Sequence, residues 1–492
     1  MKRINTGVDG LDMVLDGGLE SGALVVVAGA PGTGKTILAQ QVCFAAATAE
    51  HKSIYYTTVS EPHTKLVRHL EPFTFFDAGA LGPRVEYIHL GDFLRPARPD
   101  GLQPMVSEIV RKTLDDQPAV VVIDSAKMLS EFADERELRS ALYDLTASFA
   151  ESGAVLLLVG EYTPEEMASG IEFALADGII QLEYHVREPV DRRSLRVVKM
   201  RGGRHVPGRH TFQIGPGGIR IFPRIETLIP ARVTPLSGPM RTGISGLDDL
   251  MPRGMRRGDA TLVMGPSGVG KTTLGMGWLA QGLEEGERCL FVTFQDTADH
   301  LIGMGAAFGW DLAAYRASGH LVISYVSMGD LDLDVLANAV RENLAEHRVS
   351  RVAIDSLAEL VLADREWDRF PAYMRSLVGL VRAAGVSLMA SSETTGSGIT
   401  AQSLEGLMFL FDNVIDLRYI EEESALGRAL NVVKMRNSRH EMTLNRVTIT
   451  DRGLVVGEKL EGVTGRLGWS ALRAQAPPRP RSPSDPEPAR RS

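Results

Sequence analysis

The sequence contains little that would cross-link the chain or hold it in a membrane. Only two cysteines, Cys43 and Cys289, occur in 492 residues, too few for a disulfide framework or a thiolate metal site. Apolar runs such as "ALVVVAGA" and "AVLLLVG" are too short to cross a bilayer, and the first residues lack the apolar core of a signal peptide. These absences predict a cytoplasmic protein with no membrane partner.

Positive charge is also in short supply. The chain has 53 basic and 62 acidic residues, which leaves a formal net charge of −9. This charge opposes non-specific binding to polyanions unless the basic residues are segregated on one face, so nucleic acid is not the expected partner. An apolar content of 44% with 23% charged residues is instead typical of a globular protein, and the length favours more than one core.

The chain repeats itself once. An opening "TGVDGLD" recurs as "TGISGLD", "GAPGTGKT" as "GPSGVGKT", "VVVIDS" as "RVAIDS" and "VVKMRGGRH" as "VVKMRNSRH". The spacing persists as well, since Lys35 and Lys271 lie 236 positions apart, and this conservation of order and spacing indicates a duplicated domain. The predicted boundaries are a first domain at 1–232, a second at 233–462 and a flexible tail rich in Pro, Arg and Ser at 463–492.

Each half alternates two kinds of segment. Short runs rich in Val, Ile and Leu are separated by longer amphipathic or Ala-rich segments. This alternation is typical of strands buried on both faces between helices. The sequence therefore predicts an α/β fold in each half, with a mainly parallel sheet between layers of helices.

Both Gly-rich loops fit the phosphate-binding pattern G-x-x-x-x-G-K-[ST] and follow an apolar run. Their glycines allow backbone N–H groups to converge on phosphate oxygens at a helix N-terminus. Lys35 and Lys271 are expected to reach the β- and γ-phosphates of the nucleotide. Thr36 and Thr272 are expected to ligate Mg²⁺. The residues predicted to bind nucleotide are Gly29, Gly32, Thr33, Gly34, Lys35 and Thr36 in the first loop, and Gly265, Ser267, Gly268, Val269, Gly270, Lys271, Thr272 and Thr273 in the second.

A magnesium-nucleotide site also needs a carboxylate at the end of a buried strand, where it holds the water shell of the metal. Asp124 ends the run "VVVID" and Asp355 ends "RVAID". The recurrence of this arrangement in both halves makes these two aspartates the predicted metal carboxylates. A nucleotide and Mg²⁺ are therefore the expected cofactors.

Hydrolysis requires a base or a group that positions water, and here the two halves differ. The first half has Glu61 just past a strand, whereas the second has Gln295 and Asp296 at the same place. Glu61 is the candidate catalytic residue of the first half. Asp296 is the candidate of the second half, although it is one methylene shorter than Glu, and its neighbour Gln295 cannot accept a proton. The alternatives are that Glu61 caps the following helix, and that Glu161 and Glu393, after later apolar runs, supply the carboxylate.

The recurring "VKMR" places two cations on one face of a strand by period-two alternation. They are Lys199 with Arg201 in the first half and Lys434 with Arg436 in the second. Two cations aimed together suit a phosphate, including that of a neighbouring subunit in the manner of an arginine finger. The alternative is a solvated edge strand.

Together these motifs resemble those of the KaiC circadian-clock ATPases, a double-domain branch of the RecA superfamily. The matches are the two domain openings, the paired loops, "IDS" twice, and "KMR" followed by His205 or His440, and they span residues 3 to about 460. The resemblance implies two tandem RecA-like P-loop NTPase domains in a homohexameric double ring. It also implies ATP held between neighbouring subunits, with the "KMR" cations acting across the interface.

The sequence departs from the clock family in two places. The family has adjacent acidic residues after the second strand, where this chain has "SE" and "QD". The family also autophosphorylates a neighbouring Ser and Thr, and those positions fall at about Met408 and Phe409, which carry no hydroxyl. Hydroxyls near this stretch belong to Thr395, Ser397, Thr400 and Ser403.

These observations favour a hexameric ATPase that signals to protein partners through its nucleotide state, with hydrolysis mainly in the first domain and ATP-stabilised assembly in the second. One alternative is a serine/threonine autokinase. A DNA-binding recombinase or motor is a further alternative, which the net charge of −9 disfavours.

Overall fold

The computed structural model divides into two compact units, 1–228 and 229–492, and each is described by itself. Of the predicted tail, only residues 472 and 473 are among those described. The structure describes residues 2–58, 63–92, 101–186, 191–228, 238–329, 331–363, 369–394, 407–422, 425–436, 438–461 and 472–473.

The first unit alternates strands and helices along the chain. Its strands are β1 Arg3–Ile4, β2 Leu19–Glu20, β3 Leu24–Gly29, β4 Ser53–Thr57, β5 Val85–His89, β6 Val120–Asp124, β7 Val155–Glu161, β8 Gly178–His185, β9 Arg192–Met200, β10 Arg209–Gly215 and β11 Gly218–Phe222. Its α-helices are α1 Leu11–Val14, α2 Lys35–Ala46, α3 His63–Leu70, α4 Gln103–Asp116, α5 Glu135–Ser152, α6 Pro164–Ser169 and α7 Ile171–Leu175. Short 3₁₀ helices are found at Ala78–Ala80, Leu90–Asp92, Ala126–Glu131 and Ile225–Thr227.

Nine strands of the first unit form one sheet in the order β11-β10-β9-β8-β3-β7-β6-β4-β5. The six strands from β8 to β5 are parallel, and β9, β10 and β11 extend the sheet in antiparallel fashion at one edge. Along the fully buried β3, Leu24 and Val26 face one hydrophobic cluster, while Val25 and Val27 face another. The sheet therefore lies between two apolar layers, which explains its continuous Val- and Leu-rich runs.

The second unit repeats the succession of sheet strands, with different connecting helices and one additional short strand near its end. Its strands are β12 Pro239–Met240, β13 Met255–Arg256, β14 Ala260–Gly265, β15 Cys289–Thr293, β16 Leu321–Tyr325, β17 Arg351–Asp355, β18 Ser387–Glu393, β19 Asn413–Glu422, β20 Ala425–Met435, β21 Asn445–Thr450, β22 Gly453–Lys459 and β23 Leu472–Arg473. Its helices are α8 Leu247–Leu250, α9 Lys271–Glu284, α10 Ala298–Ala307, α11 Leu312–Ala317, α12 Leu333–His347, α13 Leu357–Ala363 and α14 Phe370–Ala383, with a 3₁₀ helix at Met408–Leu410.

The second sheet follows the order β16-β15-β17-β18-β14-β19-β20-β21-β22, with β23 paired to β19. Its strands from β16 to β19 are parallel, and β20, β21 and β22 are antiparallel. Both units thus share one strand order, and the predicted fold class of two tandem RecA-like domains is confirmed. Within the described ranges, no helix has the length and apolar character needed to cross a membrane.

Candidate nucleotide-binding sites

Each Gly-rich loop joins the carboxyl end of a central parallel strand to the N-terminus of a helix, β3 to α2 and β14 to α9. Gly34 and Gly270 precede these helices with φ of 100° and 114°, a left-handed conformation that glycine adopts without a Cβ clash. At this edge of an open α/β sheet, helix N-termini favour anions. The other loop glycines in these two turns are Gly29, Gly32, Gly265 and Gly268.

Some of the predicted loop side chains turn into the protein. Thr33 is fully buried and its Oγ1 donates to Ala30 O at 2.9 Å. Val269 packs in the core of the second unit, and Thr273 is buried on α9. The carbonyl of Ser267 accepts the hydroxyl of Tyr419 at 3.2 Å. At Thr33 and Val269, the backbone is thus the part available to phosphate.

In the first loop, Lys35 is buried and its Nζ donates to Ala30 O at 2.8 Å. Its Nζ also lies 3.7 Å from Glu161 Oε1. Burial lowers the pKa of Lys35 below its ordinary value, while the Glu161 and Asp124 carboxylates oppose that shift. Glu161, named above as an alternative catalytic carboxylate, therefore faces Lys35 of the first loop.

The structure brings Thr36 and Asp124 together, with Thr36 Oγ1 donating to Asp124 Oδ2 at 2.8 Å. Tyr55, on the adjacent β4, donates its hydroxyl to the same oxygen at 2.6 Å. Burial raises the pKa of Asp124, and the Tyr55 and Thr36 hydroxyls oppose this by stabilising the carboxylate. A hydroxyl and a carboxylate oxygen at this spacing fit a hard cation such as Mg²⁺.

The second loop reproduces this arrangement with a different neighbour. Lys271 Nζ donates to Pro266 O at 2.9 Å, and Thr272 Oγ1 donates to Asp355 Oδ2 at 2.6 Å. Ser391, on β18, donates its hydroxyl to the other oxygen of Asp355. Burial raises the pKa of Asp355 and lowers that of Lys271. The donor set again fits Mg²⁺.

A cavity of about 1050 Å³ opens beside the first loop. Lys35 and Asp124 line it at the phosphate-binding turn, and Phe73 and Ile214 add apolar surface. Cavities of this size, with a few convergent polar groups on an apolar lining, are typical of small-molecule sites. The lining thus offers apolar surface for the nucleobase of a nucleotide as well as polar groups for its phosphates.

The predicted base of the first unit, Glu61, lies outside the described residues. In the second unit, Asp296 is half-buried, and its Oδ1 is 3.8 Å from Nε2 of His300. Gln295 Nε2 donates to Oε1 of Glu359, a buried carboxylate on α13. Sequence reasoning missed Glu359; the available signal was a carboxylate four residues after Asp355, in the first turn of the following helix.

In each unit, the "KMR" cations lie at the amino ends of the parallel strands, whereas the Gly-rich loop lies at their carboxyl ends. Lys199 pairs with Ile179 at the start of β8, and its Nζ donates to Phe173 O and Ala174 O at 3.1 Å. Arg201, just past the end of β9, is 3.5 Å from the same Ala174 O, so the two cations lie together. Along the strand direction, about four residues, or ~13 Å, separate these cations from the loop of the same unit.

The second unit repeats that placement. Lys434 Nζ donates to Met408 O at 3.0 Å and to Phe411 O at 2.7 Å. Arg436 donates to Phe409 O at 3.1 Å and forms an ion pair with Asp412 at 3.2 Å. Since β20 is antiparallel to β19, these cations also lie at the amino ends of the parallel strands.

Comparison with known proteins identifies the family. A family model described as "ATPase: KaiC" matches residues 4–226 and again 240–461. The chain belongs to the KaiC ATPase family. The KaiC family resemblance inferred from the motifs is thereby confirmed, and as a KaiC-like protein the chain is an ATP-binding protein with a duplicated P-loop domain.

Curated relatives of the KaiC family match nearly the whole chain. The circadian clock oscillator protein KaiC of Parathermosynechococcus lividus is 26% identical over 487 residues, covering 95% of this chain and 88% of the relative. The circadian clock protein KaiC3 of Synechocystis sp. is 25% identical over 496 residues, covering 96% and 95%. The similarity therefore extends across both domains.

Proposed function

We propose that this KaiC-family protein binds and hydrolyses ATP as a homohexameric ring and signals its nucleotide state to protein partners in the cytoplasm. In this proposal each nucleotide lies between neighbouring subunits. The first domain performs most of the hydrolysis, and ATP in the second domain stabilises the assembly.

The position of the cations is the observation that carries this proposal. Lys199 and Arg201 lie at the amino ends of the parallel strands, whereas Lys35 lies at their carboxyl ends. When copies associate head to tail, the cations at the amino ends of one copy's strands meet the phosphate loop at the carboxyl ends of its neighbour's strands. The two parts together form a complete site. Repeated head-to-tail contacts close into a ring when the rotation allows it.

Each part of the first site has an assigned role in this proposal. Backbone N–H groups of the loop and Lys35 bind the phosphates, and Thr36 with Asp124 holds Mg²⁺, which would neutralise charge on the phosphate oxygens. Glu61 orients the attacking water and accepts its proton. Lys199 and Arg201 of a neighbour stabilise the charge that develops on the transferred phosphoryl group.

Mixing two inactive variants tests the shared site. One variant carries Lys35→Ala, and the other carries Lys199→Ala with Arg201→Ala; both keep Lys271, because ATP in the second domain stabilises the assembly, and turnover of the mixture is compared with that of each variant alone. Co-assembly from an equal mixture should restore about one first-domain interface in four, because an intact loop then meets intact cations of a neighbour. No recovery of ATP turnover, in assemblies shown by mass to contain both variants, would contradict a site shared between subunits.

Autokinase activity is not part of this proposal. Met408 and Phe409, the positions at which the family's phosphorylated residues fall, are a thioether and a phenyl side chain. The nearby hydroxyl residues Thr395, Ser397, Thr400 and Ser403 lie outside the described residues. Phosphopeptide mapping after incubation with ATP and Mg²⁺ should find no phosphate in residues 390–411, and a phosphorylated residue there would favour the autokinase alternative.

A further inference from the structure

The second nucleotide site contains a buried carboxylate that has no counterpart in the first. Glu359, on α13, is 7% exposed. One of its oxygens accepts Gln295 Nε2, and the other accepts Ser356 Oγ at 2.6 Å. These two donors hold the carboxylate in one orientation, which is the condition for a group that must position a reactant.

The repeat indicates where this carboxylate points. Glu359 follows the metal carboxylate Asp355 by four residues, and the residue four after Asp124 is Met128. Met128 lines the cavity beside the first loop, together with Lys35 and Asp124. The repeat therefore places residue 359 beside the second site, where an acidic side chain replaces the thioether.

The two donors tie Glu359 to the strands that end at the second site. Ser356, which donates to one oxygen of Glu359, directly follows the predicted metal carboxylate Asp355. Gln295, which donates to the other oxygen, lies just past the end of β15, where Thr293 pairs with Asp355 of β17. Glu359 is therefore held by segments that meet at the carboxyl ends of the parallel strands, where open α/β sheets bind their ligands.

We propose that Glu359 is the catalytic carboxylate of the second nucleotide site and that Gln295 positions it. The exposed loop after β15 thus carries an amide that holds the carboxylate, and α13 carries the carboxylate itself. This inference rests on the proposed function, because it assumes that ATP binds at Lys271.

The reaction is hydrolysis of the γ-phosphoryl group. The oxygen of a water molecule forms a bond to the γ-phosphorus, and the bond from that phosphorus to the bridging oxygen of ADP breaks. The water proton passes to the Glu359 carboxylate and then to solvent, which leaves ADP and inorganic phosphate. Glu359 is regenerated as a carboxylate after each turnover.

Single-turnover hydrolysis in the full-length Lys35→Ala chain isolates the second site. The assembly is loaded with radiolabelled ATP and Mg²⁺, and release of labelled phosphate is followed alongside the ATP dissociation constant. Glu359→Gln should slow hydrolysis about 100-fold, as expected for loss of a general base, with little change in ATP affinity. Adding Gln295→Glu to that variant should recover most of the lost rate, because it returns a carboxylate to the same pair.

Glu346→Gln, at an exposed glutamate on α12, is the matched control and should leave rate and affinity unchanged. An unchanged rate in Glu359→Gln, or a parallel loss of ATP binding, would overturn the assignment. A Lys35→Ala chain that binds ATP but shows no hydrolysis above the Lys35→Ala, Lys271→Ala background would overturn it as well. A wild-type chain that neither binds nor hydrolyses ATP would instead contradict the proposed function.

Discussion

The two domains share a scaffold and differ in the side chains around the metal carboxylate. Each has the same strand order, a loop lysine and a Thr–Asp hydrogen bond. Tyr55 is the additional donor to Asp124 in the first unit, whereas Ser391 is the additional donor to Asp355 in the second. In the proposed function, the sheet and loop thus determine where phosphate and metal bind, while the neighbouring residues determine how each site reacts.

The largest expected difference comes from removing each loop lysine in turn. Lys35→Ala should lower the ATPase rate about 100-fold, since it removes a charge that stabilises the transferring phosphoryl group. Lys271→Ala should lower turnover far less and should weaken ATP-dependent assembly. Steady-state phosphate release and the mass of the assembly with and without ATP measure both effects, and equal losses of turnover would contradict the division of labour.

A smaller effect is expected when Tyr55, the tyrosine that donates to Asp124, is replaced by the residue type found at the same strand position in the second domain. Tyr55 is the third residue of β4, and Phe291 is the third residue of β15. Tyr55→Phe removes a donor that stabilises the Asp124 carboxylate, so the pKa of Asp124 should rise further and Mg²⁺ should bind about 10-fold more weakly. The Mg²⁺ dependence of ATP turnover in the Lys271→Ala chain measures this shift.

The control for Tyr55→Phe is Tyr87→Phe. Tyr87 donates its hydroxyl to Gln40 rather than to Asp124, so its loss should leave the Mg²⁺ dependence unchanged. Equal shifts in the two variants would show a general packing effect rather than support of the metal carboxylate.

Much of the scaffold could be predicted because its signals are local. Apolar runs, Gly-rich loops and the repeated order of motifs indicated the strands, the loops and the parallel sheet. Asp124 and Asp355 were predicted as metal carboxylates because each ends a buried run, and the carboxyl ends of parallel strands meet on one side of the sheet. The Thr36–Asp124 and Thr272–Asp355 pairs follow from this geometry.

The residues that were missed act through contacts between distant segments. Tyr55 is 69 positions from Asp124, and Gln295 is 64 from Glu359, so neither pairing has a local sequence pattern. Glu359 also lies on a helix, where a lone glutamate is ordinarily a solvated residue. Its burial depends on how α13 packs, which follows from the whole fold.

The smallest expected effect concerns a buried acid present in one domain alone. Asp416 on β19 and Gln181 on β8 stand beside equivalent residues of the central strands, Met264 and Ala28. Burial raises the pKa of Asp416, and its ion pair with Arg418 opposes that shift. The folded state therefore favours the protonated acid more than the unfolded state does.

The sign of the pH effect follows from this raised pKa. The contribution of Asp416 to stability is fully present below its unfolded pKa and is lost as the pH rises through its folded pKa. Asp416→Asn stays neutral, so at pH 7 it should raise the melting temperature of the second domain by about 2–4 °C, and the gain should shrink as the pH falls. Calorimetry of the full chain tests this, with the exposed Asp299→Asn as a control expected to show no such trend. A lower melting temperature for Asp416→Asn at pH 7 would mean that the ion pair with Arg418 outweighs the burial of the charge.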